Sequence, residues 1–94
     1  MSNTHVDESR EPDITTADGA VRIYTEAGSF LWDCPTCGRG YAGKLADEPV
    51  SGWDAPRWML ADGPTLTPSL GCRGMLDGSC TGHWWLRDGR LLSA

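Results

Sequence analysis

The 94-residue sequence contains no apolar run approaching the ~20 residues that a helix needs to cross a bilayer. Residues 1–8 contain neither the basic nor the apolar segment of a secretory signal, so we expect a cytoplasmic protein. Bases are also few, because eight Lys and Arg residues accompany 13 Asp and Glu residues, for a formal net charge of −5. This balance argues against a protein that binds nucleic acid or an anionic membrane through a basic surface.

Long helices are excluded by the spacing of glycine and proline. The chain has 12 Gly and six Pro, and after Pro12 the longest stretch free of both is eight residues, 20–27. An average helix runs about 11–12 residues, and glycine and proline both disfavour its interior. The sequence therefore predicts an all-β fold of short antiparallel strands and hairpins, with at most a helical turn or two at residues 44–48 or in the N-terminal residues before 20.

Charge and hydrophobicity divide the chain into two parts. Residues 1–19 hold five acids, one base and few apolar side chains. They bury too little to offset their ordering entropy, so we expect a flexible acidic tail in which His5 is solvated. Residues 20–94 form the predicted β domain. Its strands are expected at 21–26, 30–33, 40–45, 57–60 and, as an extended segment, 65–70. Pro64 and Pro68 are expected to keep that last segment out of a central sheet position.

The C-terminal residues carry the clearest hairpin signal. Two apolar segments, 83–87 and 90–92, flank the dipeptide Asp88-Gly89, which suits a type I′ turn because both central residues need positive φ. A two-residue loop pairs Arg87 with Arg90 and Leu86 with Leu91. Trp84 and Trp85 then point to opposite faces, and an exposed tryptophan is a natural contact for a protein partner.

Four cysteines indicate a metal site. Cys34-Pro-Thr-Cys37 followed by glycine is typical of a zinc knuckle, and Cys80-Thr-Gly-His83 repeats the two-residue gap. We predict that Zn²⁺ binds Cys34, Cys37, Cys80 and His83, tying the first hairpin to the last. Three alternatives remain open: Cys72 as the fourth ligand in place of His83, a redox-active dithiol at Cys34 and Cys37, and a disulfide framework.

These motifs also carry a family resemblance. In order, they are Cys34-Pro-Thr-Cys37-Gly, Trp58, the segment Pro-Thr-Leu-Thr-Pro-Ser-Leu at 64–70, and Cys80-Thr-Gly-His83 followed by Trp-Trp-Leu-Arg-Asp-Gly-Arg-Leu. The chain resembles a family of small phage and bacterial proteins, many labelled "ammonia monooxygenase", with related domains beside bacterial ubiquitin-like conjugation genes. The resemblance implies a zinc-binding β domain that uses the four predicted ligands. It brings no established activity.

The ammonia monooxygenase label conflicts with the chemistry of the residues. Oxygen activation needs copper or iron with open coordination positions, held mainly by imidazoles and carboxylates. The chain has two histidines, one of them in the predicted tail, whereas three thiolates favour zinc.

The function expected from the sequence is a non-enzymatic, zinc-stabilised interaction module. We expect a phage accessory protein that acts on a host protein in the host cytoplasm, and no catalytic residue is assigned. One alternative is a zinc-dependent hydrolase with Asp33, Asp77 or Asp88 as its base. Another is a zinc-ribbon-like nucleic-acid-binding domain using clustered bases, drawn from Arg39, Lys44, Arg57, Arg73, Arg87 and Arg90.

Overall fold

The chain folds into two four-stranded antiparallel sheets in the computed structural model, which describes residues 11–94. The first sheet has the order β1-β2-β3-β4, formed by Ile14–Thr15, Val21–Tyr24, Ser29–Asp33 and Gly40–Lys44. The second has the order β5-β6-β7-β8, formed by Met59–Ala61, Thr65–Gly71, His83–Arg87 and Arg90–Ser93. One four-residue helix, α1 at Gly74–Asp77, lies between β6 and β7. The predicted all-β class is confirmed.

The first sheet reaches further toward the N-terminus than the predicted domain boundary. Strand β1 pairs with β2 through Ile14 and Ile23, although residues 14–15 belong to the predicted tail. Buried Thr16 accepts a hydrogen bond from the Val21 N–H at 3.1 Å, and the Asp13 carboxylate accepts one from the Thr25 N–H at 2.7 Å. Hydrogen bonds to Thr16 and Asp13 therefore attach the segment that contains β1 to the sheet, although it has little apolar surface. The tail prediction for residues 1–10, including His5, lies outside the described residues.

The second sheet contains the hairpin expected from the sequence. Strands β7 and β8 pair Arg87 with Arg90 and Leu86 with Leu91, as predicted. Asp88 has φ 49° and Gly89 φ 77°, the positive values that a type I′ turn requires.

Strand β6 occupies a central position, which corrects the expectation that its prolines would exclude it. It pairs with β5 on one side and with β7 on the other. The β6–β7 register is irregular between Leu66 and Leu70, and Pro68 lies in this interval. Proline is tolerated at such an irregularity because no ladder hydrogen bond requires its missing N–H.

The core lies between the sheets and draws on both. Val21, Ile23 and Phe30 come from the first sheet, and Leu66, Leu70 and Leu86 from the second. Trp58 connects them: its ring centroid lies 5.2 Å from that of Phe30 in an edge-on arrangement, and its backbone N–H donates to the Lys44 carbonyl at 3.0 Å. The described residues include no helix long and apolar enough to span a membrane.

Candidate functional site

The ends of four strands bring four cysteine side chains together. Cys34 follows β3 and Cys37 lies in the turn before β4, while Cys72 follows β6 and Cys80 precedes β7. Their sulfur atoms all lie within 4.8 Å of one another. Each sheet thus contributes two thiols to one cluster, which is compatible with a metal site.

The spacing of the sulfurs fits a tetrahedral ion and not a pair of disulfides. Sγ of Cys34 lies 3.7 Å from Sγ of Cys80, and Sγ of Cys37 lies 3.6 Å from Sγ of Cys72. Zinc–sulfur bonds of about 2.3 Å give a tetrahedron with edges of about 3.8 Å. All four cysteines are free, so no disulfide links them.

The surrounding backbone also suits thiolates. The Gly82 N–H donates to Cys80 Sγ at 3.3 Å, and the Gly74 N–H donates to Cys72 Sγ at 3.4 Å. A Cβ on Gly82 would lie 2.5 Å from Cys34 Sγ and 3.2 Å from Nε1 of Trp84. That indole N–H is buried and has no hydrogen-bond partner among residues 11–94. The donor set therefore fits a thiophilic cation.

The pKa values of the cysteine thiols are shifted in different directions. Burial raises the pKa of Cys72, but hydrogen bonds from the Tyr41 hydroxyl and the Gly74 N–H outweigh it and bring the pKa to about 7. The Gly82 N–H lowers the pKa of Cys80, but burial and the neighbouring thiols raise it to about 12. Burial also raises the pKa of Cys34, but backbone hydrogen bonds from Cys37 and Thr36 outweigh it and lower that pKa. The protein chain alone thus favours the thiolate at Cys72 and Cys34 and disfavours it at Cys80. A bound cation is the ordinary way to keep several thiols deprotonated in one place.

Three of the four predicted ligands meet in this cluster, and His83 does not. The fourth corner is occupied by Cys72, the alternative ligand. His83 begins strand β7, opposite Gly71 of β6, and its ring nitrogens are not among the clustered ligand atoms. Its Nε2 instead lies 2.6 Å from Oγ of Ser69.

The register of two neighbouring strands creates this Ser69–His83 pair. Ser69 and Gly71 are two residues apart on β6 and face the same side of the sheet. His83 stands across from Gly71, so it is the diagonal neighbour of Ser69. The Trp58 indole donates to the Ser69 carbonyl at 3.3 Å, which fixes the backbone that carries the hydroxyl.

Sequence reasoning missed Ser69, although a signal was present. Five candidate ligands, four thiols and His83, compete for the four positions of a tetrahedral site. One of them is therefore left for other chemistry, and histidine is the residue suited to proton transfer at neutral pH. Ser69 itself has no local motif, because its partner lies 14 residues away and on another strand.

The pair opens onto a cleft of about 570 Å³ between the sheets. Ser69 and His83 are half-buried at its wall. Aromatic and apolar side chains form much of the remaining lining: Trp32, Tyr41, Trp53, Trp58, Pro68 and Met75. A cleft of this size, apolar with a few polar groups converging on it, is typical of a ligand site.

The other candidate residues are dispersed. Asp33 forms an ion pair with Arg22 at 3.0 Å, Asp77 accepts from the Ser79 N–H at 2.9 Å, and Asp88 lies in the β7–β8 turn. Three of the six candidate bases, Lys44, Arg57 and Arg73, line the cleft, whereas the Arg87 guanidinium lies 4.5 Å from the ring centroid of Trp85.

A protein-family comparison gives the chain its context. The family model described as "Bacterial ubiquitination-like system serine protease (BubE)" matches residues 5–94. Comparisons with curated proteins and with solved structures gave no significant match. The family match agrees with the resemblance to domains beside bacterial ubiquitin-like conjugation genes, and it lends no support to the phage or ammonia monooxygenase labels. It overturns the expected non-enzymatic interaction module, because the matched family is one of serine proteases.

Proposed function

Because the chain belongs to the family of bacterial ubiquitination-like system serine proteases (BubE), we propose that it hydrolyses amide bonds with Ser69 as nucleophile and His83 as general base. The observation that carries the proposal is the 2.6 Å separation of Ser69 Oγ and His83 Nε2. This is the contact that activates a serine hydroxyl, which is a weak nucleophile at its own pKa.

The chemistry follows from that contact. His83 Nε2 takes the hydroxyl proton as Ser69 Oγ attacks the carbonyl carbon of the scissile bond, giving a tetrahedral oxyanion. The protonated imidazole then gives its proton to the leaving nitrogen, the C–N bond breaks and an acyl ester remains on Ser69. Water, deprotonated by His83, hydrolyses the ester and restores the free serine. Nε2 must accept in the first step, so the resting imidazole carries its proton on Nδ1.

The catalytic unit is a dyad in the part of the chain that the structure describes. Across residues 11–94, no carboxylate is seen hydrogen-bonded to the His83 ring. Strand pairing holds the backbone that carries the imidazole: the His83 carbonyl accepts from the Ala94 N–H at 2.9 Å, and β7 is paired on both sides. The Trp58 indole acts as a positioning group on the Ser69 side.

The cysteine cluster has a separate role in this proposal. Four thiolates, from Cys34, Cys37, Cys72 and Cys80, would hold Zn²⁺ in a closed tetrahedral site that supplies no catalytic water. Two of its cysteines are close to the dyad in sequence. Cys72 follows Ser69 by three residues, and Cys80 precedes His83 by three residues. We propose that the bound metal fixes the strand ends that carry the dyad and joins them to the first sheet.

The family description places these proteases in a bacterial ubiquitination-like system. We therefore propose that the bond cleaved is a peptide or isopeptide bond in a protein of such a system. The wide cleft beside the dyad has room for an extended segment of polypeptide.

Active-site labelling tests the proposal. A fluorophosphonate probe reacts with an activated serine, so it should label the purified protein at Ser69, as located by peptide mass spectrometry. Ser69→Ala should abolish labelling, and His83→Ala should reduce it at least 100-fold while preserving the melting temperature. Labelling at another serine, or undiminished labelling of His83→Ala, would overturn the assignment.

A further inference from the structure

The cleft beside the dyad has a charge opposite to that of the molecule. Among residues 11–94, its lining contains three bases, Lys44, Arg57 and Arg73, and no acid. The whole chain has a formal net charge of −5. The dyad therefore opens into a local positive field on an otherwise acidic protein.

The three bases surround the cleft from different elements. Lys44 ends β4 of the first sheet, Arg57 precedes β5, and Arg73 follows β6 four residues after Ser69. Because no single loop carries them, the positive charge belongs to the cleft itself and not to one flexible segment.

Both arginines are held in place at the cleft. Nη1 of Arg57 donates to the carbonyls of Ala55 at 3.3 Å and Pro56 at 3.0 Å. The Arg73 guanidinium lies 5.9 Å from the ring centroid of Trp53, within the range of a cation–π contact. Fixed guanidinium groups recognise carboxylates with less loss of side-chain entropy than free ones.

We infer that the substrate segment entering this cleft is acidic, with Asp or Glu side chains flanking the scissile bond. This inference rests on the proposed protease function and names its substrate class. A basic segment would face like charges in a partly desolvated cleft, whereas an acidic one is attracted to it and bound by carboxylate–guanidinium pairs. The aromatic lining accommodates the apolar parts of the same segment.

Cleavage of a peptide library tests the inference. Proteome-derived peptides are incubated with the wild-type protein and with Ser69→Ala, and the cuts that depend on Ser69 are mapped by mass spectrometry. Asp and Glu should be enriched, and Lys and Arg depleted, within three positions of the cut. Random charge around the cuts, or no cutting by a protein that the fluorophosphonate labels, would overturn the inference while leaving the nucleophile assignment intact.

Charge-neutralising variants provide the second arm. For the best acidic peptide, Arg57→Gln and Arg73→Gln should each lower kcat/KM about tenfold, and replacing the peptide's acids with Gln should remove the difference between variant and wild type. Arg90→Gln, on exposed β8 outside the cleft lining, is the matched control and should change nothing. Equal losses for acidic and neutral peptides would contradict the inference. So would stronger inhibition by a single-stranded oligonucleotide than by an acidic peptide, which would assign the cleft to nucleic acid.

Discussion

The two sheets have similar size and topology but carry different chemistry. The first sheet, β1 to β4, supplies core side chains, two cysteines and one wall of the cleft. The second, β5 to β8, supplies the other two cysteines and both members of the Ser69–His83 pair. In the proposed mechanism the reacting groups therefore belong to one sheet, while the cysteine cluster is shared equally between the two. The proposal thus separates residues that react from residues that hold the reacting strands in position.

The largest expected effect comes from replacing, one at a time, two serines that line the cleft from different sheets. Ser29 of the first sheet and Ser69 of the second both line it, and within the described part of the chain only Ser69 has an imidazole in contact. Ser69→Ala should lower kcat/KM for peptide hydrolysis by roughly 10³-fold or more, since the nucleophile is lost. Ser29→Ala should change it less than about threefold. A comparable loss in both variants would show that the chemistry is not confined to the second sheet.

Adding a methyl group next to the cysteine cluster should displace its sulfur atoms and remove the link that the metal provides between the sheets. A Cβ at Gly82 would lie 2.5 Å from Cys34 Sγ and 3.3 Å from Cys80 Sγ. Gly82→Ala should therefore abolish metal retention and lower stability by about 3 kcal/mol, or about 12–24 °C in Tm for a domain of this size. The matched control is Gly40→Ala, whose Cβ meets only the Asp33 carboxylate, at 3.2 Å. Full metal content in Gly82→Ala, measured by plasma mass spectrometry, would contradict a cluster of this geometry.

A smaller effect should follow from removing the edge of the first sheet. Deleting residues 1–18 takes away β1 and the Thr16 hydroxyl that caps Val21, so stability should fall by about 1–3 kcal/mol. Deleting residues 1–10 leaves β1 in place and serves as the comparison. Thermal denaturation of the two truncations measures the difference. Equal melting temperatures would show that residues 11–18 behave as the flexible tail expected from their composition.

The smallest effect concerns pH. The Ala20 N–H and the Thr16 hydroxyl hold the pKa of Asp18 below its ordinary value of 3.8. A lowered folded pKa means that the stabilisation is present above pH 3.8 and is lost as the pH falls through the folded value. Asp18→Asn should cost about 0.5 kcal/mol at pH 7, because the group is solvent-screened, and the cost should shrink toward pH 3. A difference that does not depend on pH would contradict the role of the carboxylate charge.

Local signals in the sequence predicted much of the fold. Asp88-Gly89 determines its own turn and register, so the β7–β8 hairpin is readable from a few residues. Glycine and proline spacing likewise excluded long helices. The central position of β6 was not readable, because the irregularity that accommodates Pro68 depends on how β6 pairs with β7.

The candidate site was only half readable for the same reason. The Cys34–Cys37 half is local, since a two-residue gap and a following glycine bring both sulfurs together. The second half depends on where β7 begins. Strand pairing at His83 directs its ring to Ser69, and the fourth cysteine position falls to Cys72, just beyond β6. The two-residue gap between Cys80 and His83 carries no information on how β7 pairs with β6.

The most direct test separates Cys72 from His83, whose roles the account assigns to different sites. Metal content and fluorophosphonate labelling are measured on the same samples of the two variants. His83→Ala should retain one equivalent of metal and lose labelling, and its cobalt-substituted form should show four-thiolate charge-transfer absorption. Cys72→Ser should lose the metal. If His83→Ala loses the metal while Cys72→Ser retains it, the histidine belongs to the metal site and the proposed dyad is wrong.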